Sequence, residues 1–72
     1  MNDQTTGLME QRWVAFGSNG AVGSIHHTDR GYAVRMLGTE GDRGVYDTLD
    51  VAKSALHAAM RPGSEWPEFR EH

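Results

Sequence analysis

Residues 46–60 have the spacing of an amphipathic helix, and the residues before them have the composition of short strands. The apolar positions recur three and four residues apart and share one side of the helix: Leu49, Ala52, Ala55, Leu56 and Ala59. Asp47 is the predicted N-cap, with Thr48 as the alternative. Pro62 and Gly63 end the helix. One helix after a run of strands predicts a small sheet with a single covering helix.

The strands are read from apolar and β-branched runs separated by glycine-containing turns. They are predicted at residues 12–16, 21–27 and 32–37, and residues 45–46 can add a fourth. The expected fold class is α+β, a three- to four-stranded antiparallel sheet with one C-terminal helix packed on one face. The expected organisation is a flexible leader (1–11), a β-β-β-α domain (12–61) and an aromatic tail folded back on it (62–72).

Length and composition narrow the class of protein. A chain of 72 residues makes one domain with a small core, which a second subunit can stabilise, so a homodimer is one expectation. Cysteine is absent, and no apolar run approaches the roughly 20 residues of a membrane span. The polar N-terminus lacks the pattern of a signal peptide, which predicts a cytoplasmic location without a membrane partner. The net charge of −3 differs from the basic excess of tight nucleic-acid binders.

Strand alternation divides the predicted sheet into two faces. We expect one set of apolar side chains under the helix: Val14, Phe16, Ile25, Val34 and Met36. The uncovered face then presents Arg12 or Trp13 together with His26 and Arg35, a composition typical of a binding surface. With the turn residue Arg30 and the aromatic tail, the candidate binding residues are Arg12, Trp13, His26, Arg30, Arg35 and Trp66.

No residue pattern indicates a catalytic centre, a metal site or a cofactor. The neighbours His26 and His27 point to opposite faces of a strand, so they do not share one ion easily. The glycine-rich segment 17–23 lacks the Gly-Lys-Ser/Thr ending of a phosphate loop, and it reads as a hairpin turn. The protein is therefore expected not to be an enzyme.

The strand-to-helix order over residues 12–60 resembles the β-β-β-α domains of the AP2-like and integrase N-terminal type. The residues that carry this resemblance are 31–35, for the last hairpin strand, and 44–53, for the entry into the helix. The resemblance implies a DNA-binding sheet face in which Arg12, Trp13, Arg30 and Arg35 meet the major groove.

Two further resemblances suggest other roles. The preference for arginine over lysine and the ending 66–72 resemble small orphan proteins of actinobacteria and their phages, which implies a phage or prophage accessory protein acting on a host protein. Residues 23–27 resemble the Gly-Ser-His strand of HicA-type toxin ribonucleases, although an isoleucine intervenes. That resemblance implies His26 as a catalytic base.

We therefore expect a small non-enzymatic binding or regulatory module that acts on a protein partner. The first alternative is a nucleic-acid-binding module that uses the exposed sheet face, and the second is a HicA-like ribonuclease. The aromatic tail, with Trp66, can either pack against the domain or dock a partner.

Overall fold

The computed structural model describes residues 11–38, 41 and 43–72 of the chain. Within these residues the elements are β1 (Arg12–Gly17), β2 (Gly20–Thr28), β3 (Gly31–Met36), β4 (Gly44–Tyr46), α1 (Leu49–Ala59) and β5 (Glu68–Glu71). The predicted α+β class is confirmed, with five strands instead of three to four. Of the leader predicted at residues 1–11, all but Gln11 lies outside the described residues.

The five strands form one antiparallel sheet in the order β4-β3-β2-β1-β5. The first four strands follow one another as a meander, and the chain then crosses one face of the sheet as α1. It returns to the opposite edge, where β5 pairs with β1 and places Phe69 opposite Ala15. No local pattern in the tail predicts this strand, because β5 is stabilised by pairing with β1 rather than by its own composition.

Helix α1 begins after Thr48, whose hydroxyl oxygen accepts a hydrogen bond from the Val51 N–H at 3.1 Å. The predicted Asp47 cap is therefore wrong, and the alternative cap Thr48 is correct. At the other end, the Met60 N–H donates to the carbonyl of His57. This hydrogen bond satisfies one of the carbonyl groups that a helix end leaves unpaired.

The core lies between α1 and the sheet, and its buried members are Trp13, Ala15, Ile25, Val34, Ala52 and Leu56. Gly23 lets the helix approach closely. A Cβ atom at this position would lie 2.7 Å from the Arg35 carbonyl oxygen and 3.3 Å from Leu56 Cδ1. The missing side chain is thus what allows Leu56 to pack directly on the sheet.

The face assignment predicted for β1 is wrong. Trp13 pairs with Ile25, and Ala15 pairs with Gly23, so Trp13 and Ala15 lie under the helix. Val14 and Phe16 lie on the other face of the sheet. Both faces of β1 are apolar, so alternation alone could not choose between them. Packing selects the side that buries the indole and sets the small Ala15 opposite Gly23.

Candidate functional site

We use the term open face for the side of the sheet that points away from α1, over which no element of the described chain packs. Strand register assigns the residues that lie on it. They are Arg12, Val14, Phe16, Ser24, His26, Ala33, Arg35, Val45, Glu68 and Arg70. Three predicted binding residues, Arg12, His26 and Arg35, belong to this set.

The centre of the open face consists of two adjoining cross-strand pairs. Arg12 of β1 lies opposite His26 of β2, and Ser24 of β2 lies opposite Arg35 of β3. Ser24 Oγ is 3.4 Å from His26 Nε2, which joins the two pairs along β2. With two strand spacings of about 4.8 Å and an offset of two residues along the strands, the backbones of the two arginines are roughly 12 Å apart. The arrangement provides donors that can contact carboxylate or phosphate oxygens.

Arg70 extends the open face to the β5 edge. Its guanidinium carbon lies 5.2 Å from the centroid of the Phe16 ring, and its Nε donates to Glu68 at 3.1 Å. Both side chains of this ion pair are exposed, so the pair contributes little to the stability of the fold. It does orient the Arg70 guanidinium over the Phe16 ring. Val14 lies between Arg70 and Ser24. The face therefore alternates cationic and apolar groups.

Charge is divided unevenly between the two sides of the sheet. The described open face carries three arginines and one carboxylate, that of Glu68, although the whole chain has a net charge of −3. Asp47 and Asp50 lie at the start of α1, on the far side of the sheet. Glu71 lies opposite Trp13, on the face that the helix covers. The open face is thus locally basic on an acidic protein.

The other predicted binding residues lie away from this centre. Trp13 is only 9% exposed, and its ring centroid lies 5.9 Å from that of Tyr32. The prediction that Trp13 lies on the open face is therefore wrong, because Trp13 belongs to the core. Arg30 is exposed in the turn between β2 and β3. Trp66 lies on the helix side of the sheet.

Trp66 remains 55% exposed. The centroid of its ring lies 5.1 Å from the centroid of the His57 ring and 6.1 Å from that of the Phe69 ring. The His57 ring is held in turn by a 2.8 Å hydrogen bond between Nε2 and the Ser64 carbonyl. Trp66 also borders an open cleft of about 760 Å³ between the β1–β2 turn and the end of α1, with Met36 and Met60 among its apolar lining. This cleft adjoins the open face, because Phe16 and Glu68 also line it.

The histidines are distributed as strand alternation predicts. His26 lies on the open face, and His27 stacks on Tyr32 on the other face with the centroids 4.3 Å apart. Among the described residues, no group of three or more His, Cys, Asp or Glu side chains could hold a metal ion. In the same part of the chain, no helix has the length and apolar character needed to cross a bilayer.

Comparison with known proteins gives no match: no family model, no curated protein and no solved structure is similar to this chain. The candidate site therefore rests on the geometry of the open face alone.

Sequence reasoning missed the contribution of Arg70 and misplaced Phe16. Arg70 joins the face only because β5 pairs with β1, a long-range contact without a local signal. Phe16 could have been found if Trp13 had been given precedence as the larger apolar group to bury. Alternation placed His26 and Arg35 on one face, whereas Arg12 joins them only because Val14 and Phe16 lie on the open face instead of under the helix.

Proposed function

We propose that this chain is a small non-enzymatic binding module whose open face docks an acidic surface of a partner protein. The observation that carries the proposal is the mixture of arginines and apolar side chains on a sheet face that no described element covers. Arginine and aromatic residues are enriched at protein interfaces, where the guanidinium combines hydrogen bonding with a flat apolar surface.

The apolar part of the face supports a protein partner. Val45 is 46% exposed, and Val14 and Phe16 are half-buried, so all three leave apolar surface available for contact. A partner that covers these side chains removes that surface from water, while its carboxylates pair with Arg12 and Arg35. Identification of the partner as a host protein of a phage remains a prediction from composition.

Nucleic acid is the second candidate, favoured by the adjoining pairs Arg12–His26 and Ser24–Arg35. These side chains could contact phosphates. The net charge of −3 opposes long-range attraction of a polyanion, and the Arg70 guanidinium lies over the Phe16 ring where a base would stack, which leaves only the rest of the ring for apolar contact. The open face therefore favours a protein with local acidic groups over a nucleic acid.

Charge reversal on the open face is expected to weaken capture of the partner. The protein is immobilised, and lysate of the source organism is passed over it with and without nuclease treatment. The variants Arg12→Glu and Arg35→Glu are compared with Arg61→Glu. Arg61 is exposed beyond the end of α1, so the control has the same charge change away from the face. Each open-face variant should weaken binding about tenfold, and Arg61→Glu should bind like the unaltered protein.

Two results would count against this proposal. If all three variants retain the same protein equally, the open face is not the docking surface. If retention by the unaltered protein disappears on nuclease treatment and shows a steep salt dependence, the bound molecule is a nucleic acid.

A further inference from the structure

Strand β5 forms one edge of the sheet built by the described residues, and half of its backbone groups point away from β1. The His72 N–H donates to the Arg12 carbonyl at 2.7 Å, and Arg70 lies opposite Val14 in the same ladder. Because N–H and C=O directions alternate along a strand, the groups of Glu68 and Arg70 face β1. Those of Phe69 and Glu71 face outward, where another strand can pair with them.

The β5 sequence is complementary to itself when two copies run antiparallel. If Phe69 lies opposite the Phe69 of a second copy, the outward groups meet as a hydrogen-bonded pair. Glu68 of each copy then lies opposite Arg70 of the other copy. These two pairs occupy positions of the ladder at which the side chains are closely spaced. Opposite charges at such positions stabilise strand pairing.

The neighbouring register lacks this complementarity. Outward groups can pair only if the strand shifts by whole two-residue steps, so the next arrangement sets Phe69 opposite Glu71. Arg70 would then lie directly opposite the Arg70 of the second copy, which is repulsive. Charged edge strands normally prevent sheets from joining, but here the alternation of signs permits one register.

Apolar surface lies beside the same edge. Phe69 is on the helix side of the sheet, with Lys53 Nζ 5.2 Å from its ring centroid, and the half-exposed Trp66 lies 6.1 Å from it. Pairing at Phe69 brings the two phenylalanine rings together on that side. Trp66 then lies along the seam, the line on which the two β5 strands meet. The seam thus combines hydrogen bonds, ion pairs and aromatic burial, which a charged strand alone does not provide.

We propose that the protein forms a two-fold symmetric homodimer in which the β5 strands pair antiparallel about Phe69 and join the two sheets into one. A second subunit adds buried surface to a chain of only 72 residues. The inference does not rest on the proposed function: the seam shares Glu68 and Arg70 with the open face, but Arg12 and Arg35, which carry the docking proposal, lie outside it.

The test measures mass by light scattering over a concentration series, against a subunit mass of 8.0 kDa. Arg70→Glu sets glutamates opposite each other, and Glu68→Arg sets arginines opposite each other. Each is expected to raise the dimer dissociation constant about tenfold or more. A 1:1 mixture of the two variants should restore the dimer, because every pair across the seam again has opposite charges. Circular dichroism of each variant establishes that it is folded.

Arg30→Glu makes the same charge change as Arg70→Glu in the exposed β2–β3 turn, and it should dimerise normally. The inference is overturned if the unaltered protein stays monomeric up to about 1 mM. It is equally overturned if the folded single variants dimerise as well as the unaltered protein, or if mixing two folded monomeric variants leaves them monomeric.

Discussion

Replacing Trp13 with alanine is expected to lower the free energy of unfolding by about 3–5 kcal/mol, the usual loss for a large aromatic removed from a core. Trp13 is 9% exposed and packs against Tyr32 at a centroid distance of 5.9 Å. A domain of this size has a stability of about 5 kcal/mol, so the variant should be largely unfolded at 25 °C. Urea denaturation followed by circular dichroism measures the loss.

Trp66→Ala is the matched control, because it removes the same side chain from a site that is 55% exposed. It should lower the free energy of unfolding by about 1 kcal/mol, since less apolar surface returns to water. A Trp13→Ala protein that melts like the unaltered one, beside a Trp66→Ala protein that unfolds, would contradict the core described above.

Replacing Leu56 with alanine is expected to lower the free energy of unfolding by about 2–5 kcal/mol. Leu56 is fully buried and contacts the sheet where Gly23 leaves no side chain to fill the space. The truncation should therefore leave a cavity between α1 and β2. Thermal and urea denaturation of the two proteins measure the difference.

Val51→Ala, on the outer side of the same helix, is the control for this change. Val51 is 50% exposed, so its truncation should alter the free energy of unfolding by about 0.5 kcal/mol or less. If Leu56→Ala and Val51→Ala lower the free energy of unfolding equally, α1 does not pack on the sheet through Leu56.

The helix and the first strands could be predicted because their signals are local. Leu49, Ala52 and Leu56 follow helical spacing, and glycine-containing turns separate the strands. The choice of Thr48 over Asp47 as N-cap depends on backbone geometry, since Thr48 is the residue whose hydroxyl reaches the Val51 N–H. Composition alone left both caps open.

The fifth strand and the faces of β1 could not be predicted from local signals. Residues 68–71 contain one apolar side chain, Phe69, and they become a strand through pairing with β1. Along β1, Trp13 and Val14 are both apolar neighbours on opposite faces. Only the packing of the whole sheet against α1 decides which of them is buried.

The candidate site could likewise be predicted only in part. His26 and Arg35 were placed on one face by alternation, and the choice between Arg12 and Trp13 on β1 was decided by the structure, which brings Arg12 beside His26. Arg70 depends on the unpredicted β5. Trp66 was named as a large apolar residue of a tail that either packs on the domain or docks a partner, and it lies on the helix side of the sheet, beside His57 and Phe69.

The most direct test of the open face as a docking surface is amide chemical-shift mapping with ¹⁵N-labelled protein. A polyglutamate peptide serves as the acidic protein probe, and single-stranded RNA serves as the competing polyanion. We expect the peptide to shift the backbone amides around Arg12, Ser24 and Arg35, and the RNA to shift them less at equal charge. Peptide-induced shifts confined to α1 or to the cleft beside Trp66, or a response to RNA alone, would contradict the account.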